Sequence, residues 1–145
     1  GTSFPYNSGT MISRAADLYR ATRSKVYLED GKKLSDASFQ YFAKLGSQVP
    51  AHYTYASDGF NNWFNGVLLR GFFQISPVFD KAGHYMESFL QNLDYGYAHF
   101  LRSGLLPPDL LGGWHIDKDK NNLEGMFMFT YAAQYAMLSQ YQIEK

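Results

Sequence analysis

The chain has 145 residues with 13 basic and 13 acidic side chains, so its formal charge is zero and it lacks the basic excess of a nucleic-acid binder. Hydrophobic residues make up 46% and aromatics 18%, which excludes intrinsic disorder. The absence of Cys removes disulfides, thiolate zinc sites and cysteine nucleophiles together.

Five segments predict helices. The first runs from about Ser8 to Thr22, with Asn7 or Ser8 placed to cap it and Met11, Ala15, Leu18 and Tyr19 at helical steps. The second follows Ser24 and continues to about Leu45, weakened in its middle by Gly31, with Gly46 where a terminating glycine belongs. The third spans about Asn62 to Ile75 and stops before Ser76-Pro77. The fourth spans about Asp80 to Leu101. A loop marked by Pro107-Pro108, Gly112-Gly113 and Asn121-Asn122 leads to the fifth, about Leu123 to Gln142. No stretch alternates in the manner of a strand. No apolar run reaches the roughly 18 residues of a membrane span, because Arg70 and Gln74 interrupt Gly66 to Ile75.

An internal repeat organises these helices. Gly9-Thr10-Met11-Ile12, Gly66-Val67-Leu68-Leu69 and Gly125-Met126-Phe127-Met128 align, with glycines 57 and 59 residues apart. Tyr27-Leu28-Glu29 and Tyr85-Met86-Glu87 align at an offset of 58. The unit is a helical hairpin, and repeated hairpins form solenoids or closed toroids. Residues 1–145 hold about two and a half units of one all-α segment, whereas six units at that period need about 348 residues. The expectation is roughly half of an (α/α)6 toroid, a C-terminal fragment of a larger domain.

Each of the first two units places a polar and aromatic cluster before its glycine. These read Phe4-Pro5-Tyr6-Asn7-Ser8 and Asn61-Asn62-Trp63-Phe64-Asn65. Helix amino ends expose unpaired N–H groups. Asn supplies both donor and acceptor, and an aromatic ring supplies a flat apolar face. Sugars share that split character. Capping by the Asn residues and packing by the aromatics is the alternative at each position. The runs Met126 to Phe129 and Phe72-Phe73 read as core.

Other chemistry is poorly represented. Asp117-Lys118-Asp119-Lys120-Asn121 begins like a calcium loop but has Asn122 and Met128 where Gly and Glu are required. His52, His84, His99 and His115 form no zinc-binding pattern, and His84 and His99 read as ordinary helix residues. No phosphate loop or nucleophile elbow occurs, and neither metal nor cofactor is expected.

Tyr6-Asn7-Ser8-Gly9, Arg14 to Thr22, Tyr27-Leu28-Glu29-Asp30, Trp63 to Phe72 and Gly112-Gly113-Trp114 together resemble the later half of glycoside hydrolase family 76. The resemblance implies an (α/α)6 barrel that hydrolyses α-1,6-linked mannan internally with retention of configuration. It also implies an exported setting: periplasmic, cell-surface or extracellular. The first residues, Gly1 to Pro5, carry no charged-then-apolar pattern from which a compartment could be read.

Retaining hydrolysis uses two carboxyl groups. In the family these are adjacent aspartates in the earlier half, and this sequence contains no Asp-Asp pair. No catalytic residue is carried over. The sugar-binding candidates are Tyr6, Asn7, Trp63 and Asn65, with Trp114 in the variable loop. Two rival expectations are a noncatalytic sugar-binding or scaffold protein, which a homodimer of half-barrels would close, and an unrelated helical-repeat interaction module.

Overall fold

The computed structural model describes residues 3–116 and 125–144. Among them lie five α-helices: α1 (Pro5–Thr22), α2 (Lys25–Phe42), α3 (Phe60–Ile75), α4 (Lys81–Phe100) and α5 (Gly125–Glu144). The all-α expectation holds.

The helix ends differ from expectation for local reasons. Pro5 takes the first turn of α1, where its missing N–H costs nothing, so the helix starts earlier than Asn7 or Ser8. Phe4 occupies the capping position without a side-chain cap bond, which corrects the capping role assigned to those two residues. Arg23 ends α1 in the left-handed region, at φ 58°, with its N–H donating to the Tyr19 carbonyl. Ser24 does precede α2, although its hydroxyl makes no cap bond.

Helix α2 stops at Phe42 because Ala43 turns extended. Lys44–Leu45 (β1) then pairs antiparallel with Tyr53–Thr54 (β2). The expectations of a strand-free chain and of Gly46 as a helix terminator are both corrected. Gly46 has φ +68° but sits in the hairpin, where its N–H donates to the His52 carbonyl. Two-residue strands are too short to register as alternation. At the end of α3, Ser76–Val78 forms one 3-10 turn, as the Ser-Pro pair requires.

Helices α1, α3 and α5 lie side by side and run the same way. Along α1, Tyr6 meets Phe64, Gly9 lies on Val67, and Arg20 donates to the Gln74 carbonyl at 2.6 Å. Along α3, Phe60 meets Phe127 and Gly66 faces Thr130 and Gln134. Helices α2 and α4 cover one side of this layer. Gly31 is what lets α2 approach Ala15 and Ile75 closely, so its weak helix propensity is offset by packing. The two covering helices meet where Phe39 stacks on Tyr85 at 4.3 Å. There the Tyr85 hydroxyl and Lys81 both donate to Asp36.

The core lies between the layers and includes Ile12, Leu68, Leu69, Phe72, Ile75, Met86, Phe89 and Leu93. The repeat has a packing meaning in its first two units: Gly9 faces α3 as Gly66 faces α5. Gly125 instead opens α5 and, among the described residues, meets Phe129 of its own helix.

The layer's other side carries exposed large apolar side chains among the described residues. Trp63 of α3 and Phe129 of α5 are 42% and 78% exposed there, on one groove. Consecutive residues point about 100° apart on a helix, so Met126 to Phe129 cannot all be core. Phe127 is buried and Phe129 is not, which corrects that expectation. Phe72 is buried and Phe73 half-buried.

Candidate functional site

The amino ends of α1 and α3 bring four rings into one row. Phe4 stacks with Tyr6 at 5.7 Å, both contact Phe64 (5.5 and 5.0 Å), and Phe64 contacts Trp63 at 5.6 Å. Of the sequence candidates, Tyr6 and Trp63 therefore belong to one aromatic surface. Phe64, at its centre, went unrecognised as a candidate. Asn7 is exposed beside the row, and its backbone N–H donates to the Phe4 carbonyl at 3.2 Å.

Trp63 and Asn65 part company. Two residues along a helix turn the side chain by about 200°. Trp63 lines a groove of about 530 Å³ between α3 and α5, with Val67, Arg70, Met126, Phe129 and Met137. Asn65 is buried and lines a different hollow of about 220 Å³, between the amino ends of α1 and α3 and the carboxyl end of α2. Its amide donates to the Ala56 carbonyl at 2.8 Å. The aromatic row lies between these two hollows.

The loops at this end are tied to the helices through their main chain. Buried Asn62 donates to the carbonyls of Ser57 and Pro108, and its own carbonyl accepts from Gln134 at 3.1 Å. The Tyr131 hydroxyl donates to the Pro107 carbonyl at 2.8 Å. Burial, with a smaller push from the Asp109 carboxylate, raises the Tyr131 phenol well above its ordinary value, so it stays a neutral donor.

Trp114 is the candidate set apart from the row. Its indole N–H donates to the Phe100 carbonyl at 2.7 Å, and the Arg102 guanidinium lies over its ring at 5.5 Å. Those contacts anchor the loop to the end of α4. The cation leaves that ring partly covered.

Acidic groups near this end are occupied with bracing. Asp58 and Asp109 sit opposite one another in an antiparallel bridge. Asp58 accepts from the Asn61 amide at 2.8 Å. Asp109 accepts from the Ser57 hydroxyl and the Gly112 N–H, each at 2.9 Å, and faces the His115 imidazole at 3.3 Å. His84 and His99 lie on α4, as expected, with His99 stacked on Tyr95 at 4.1 Å. Among the described residues no group of three His, Cys, Asp or Glu is arranged to hold a metal. The calcium-loop-like run from Asp117 to Asn121 lies outside them. No helix among the described residues is long and apolar enough to cross a membrane.

Parallel helices backed by an antiparallel covering layer, with aromatic rings and uncharged amides gathered at their amino ends, define a helical-hairpin protein. No curated protein matches the chain. Residues 1–141 match the profile of glycosyl hydrolase family 76, and the chain belongs to that family.

Proposed function

We propose that this chain supplies part of the sugar-binding cleft of a glycoside hydrolase acting on α-1,6-linked mannan, and that the catalytic carboxylate pair is contributed from outside these residues. Family membership supports the glycosidase chemistry and the mannan-like substrate. The observation that carries the cleft is Trp63: a half-exposed indole at a groove of about 530 Å³, flanked by the Phe64 and Tyr6 rings.

Each part has a task in that reading. The indole face takes the C–H face of a mannose ring, and Arg70, also lining the groove, donates to its hydroxyls. Asn7, exposed at the first turn of α1, offers a further donor and acceptor. Retaining hydrolysis needs two carboxyl groups roughly 5 Å apart. The aspartates here are never adjacent in sequence, and the bridged pair Asp58 and Asp109 is engaged by Asn61, Ser57 and Gly112. Binding and orientation are therefore this chain's contribution.

The groove side of α3 and α5 supports the half-toroid arrangement, because among the described residues Trp63 and Phe129 stand there 42% and 78% exposed. Calorimetry with α-1,6-mannooligosaccharides tests the cleft. Trp63→Ala is expected to weaken binding about tenfold without changing the fold, as for an aromatic anchor. Unchanged affinity removes Trp63 from the site. The reading in which a second copy covers the open side requires a dimer in sedimentation equilibrium, and a stable monomer rules it out.

A further inference from the structure

The smaller hollow is not part of the Trp63 groove, and its lining has a chemistry of its own. Phe4, Tyr41 and Phe42 provide aromatic walls, Tyr55 is part of the lining, and Asn61 and Asn65 provide the polar groups. Among the described residues none of the side chains lining it is charged. The Tyr55 hydroxyl is already engaged with Ser88 at 2.9 Å, so that residue offers only its ring.

The two amides are held in one orientation. Asn61 donates its N–H to Asp58 and Asn65 donates its N–H to the Ala56 carbonyl, each at 2.8 Å. Each amide keeps its carbonyl oxygen and its second N–H, an acceptor and a donor whose orientation is set before any ligand arrives. Asn65 is only 6% exposed, so what it accepts must enter the hollow. Tyr41 stands at 60% exposure, set edge-on to Phe42 at 4.8 Å. Lys44 Nζ lies 5.7 Å from the centroid of that ring, and at this exposure the rest of the ring is left as a stacking surface rather than a core contact.

We infer that this hollow is a second carbohydrate site, separate from the cleft, which takes one pyranose ring bearing hydroxyl donors. At about 220 Å³ it falls below the 300 Å³ or more of pockets that hold drug-sized ligands, which limits it to a single ring. Aromatic walls select C–H faces, and the two amides select hydroxyls. The mannose type of the ring rests on the functional reading above. The site places a side branch or chain terminus of the polysaccharide beside the helix ends while the main chain occupies the Trp63 groove.

Titration of the whole chain with methyl α-D-mannopyranoside, followed by amide chemical shifts, tests the inference. Saturable shifts are expected at the side-chain amides of Asn61 and Asn65, with affinity about tenfold weaker in Tyr41→Ala. Phe4→Ala is expected to weaken binding in the same direction, and Tyr41→Phe to retain it. No saturable binding, or equal affinity in wild type, Tyr41→Ala and Phe4→Ala, overturns the second site. Parallel titration with an α-1,6-mannooligosaccharide separates the two readings. Loss of oligosaccharide binding in Trp63→Ala alone upholds the cleft while the second site falls, and Trp63-independent binding strikes the cleft only.

Discussion

Gly9 of α1 rests against the main chain of Val67 in α3, leaving no room for even a methyl group between the two helices. Gly71 meets the Gly9 backbone from the other side of the same contact. Both neighbours are backbone, so neither yields as a flexible side chain would. The spacing of α1 and α3, and with it the placement of Tyr6 on Phe64, depends on hydrogen atoms at these positions.

Gly9→Ala is accordingly expected to lower stability by about 3 kcal/mol, the upper range for overpacking. Gly125→Ala, whose added carbon meets Phe129 of its own helix at an ordinary contact distance among the described residues, is expected to stay within about 1 kcal/mol of wild type. Urea denaturation followed by circular dichroism checks both. Equal midpoints for the two variants contradict the close approach.

Asn62 holds two loops at once through the carbonyls of Ser57 and Pro108. Each carbonyl also accepts a backbone N–H, so removing the amide loses two hydrogen bonds without orphaning an acceptor, and Asn62→Ala is expected to cost about 1–3 kcal/mol. Hydrogen exchange should also quicken at Gly59 and Leu110, whose N–H groups donate across these loops to Pro108 and Ser57. A variant as stable as wild type contradicts this bracing role.

Asn7 is the opposite case, exposed and outside the capping position. Asn7→Ala is expected to change stability by less than about 0.5 kcal/mol, whereas loss of a working cap costs about 1 kcal/mol. A thermal melt distinguishes the two.

Alkaline pH has a defined effect. Burial raises the Tyr55, Tyr85, Tyr131 and Tyr135 phenols above their ordinary value of 10.0. The adjacent Asp36 carboxylate adds to the rise at Tyr85, and Asp94 adds to it at Tyr135, which reaches about 12. The unfolded chain loses these protons first. Their contribution is therefore complete below pH 10 and declines as pH rises toward 12 and beyond. Absorbance titration at 295 nm should show these four tyrosines ionising late and together with loss of helicity. Simple ionisation of every tyrosine near pH 10, with the fold retained, contradicts the assignment.

The helices were legible because buried positions such as Ile12, Ala16, Leu68 and Phe72 recur at three- and four-residue steps. The glycine repeat was legible for a related reason, since Gly9 and Gly66 each face the neighbouring parallel helix. The site was read less well. Aligning those glycines places Tyr6 with Trp63, and the structure does put both in one aromatic row. Asn7 and Asn65 stand two residues and one residue before their glycines, an offset that rotates the side chain by about 100°. That rotation separates an exposed Asn from a buried one. Tyr41, at the far end of α2, joins Asn65 only through the way the hairpins pack, and no spacing announces it.

Asn62, Asn65, Asn92 and Tyr131 all grip loop carbonyls, at Ser57 and Pro108, Ala56, Tyr53 and Pro107 respectively. A carbonyl is common to every residue type, so the grip does not depend on which side chain the loop displays. Loop shape is inherited from the helices, and the side chains it carries are released from holding it. Substitution at Ala56, which lines the smaller hollow, alters what the rim presents without unfastening the loop. Divergence in sugar preference thus has a low structural barrier here, and an engineer retuning the site has a natural place to begin.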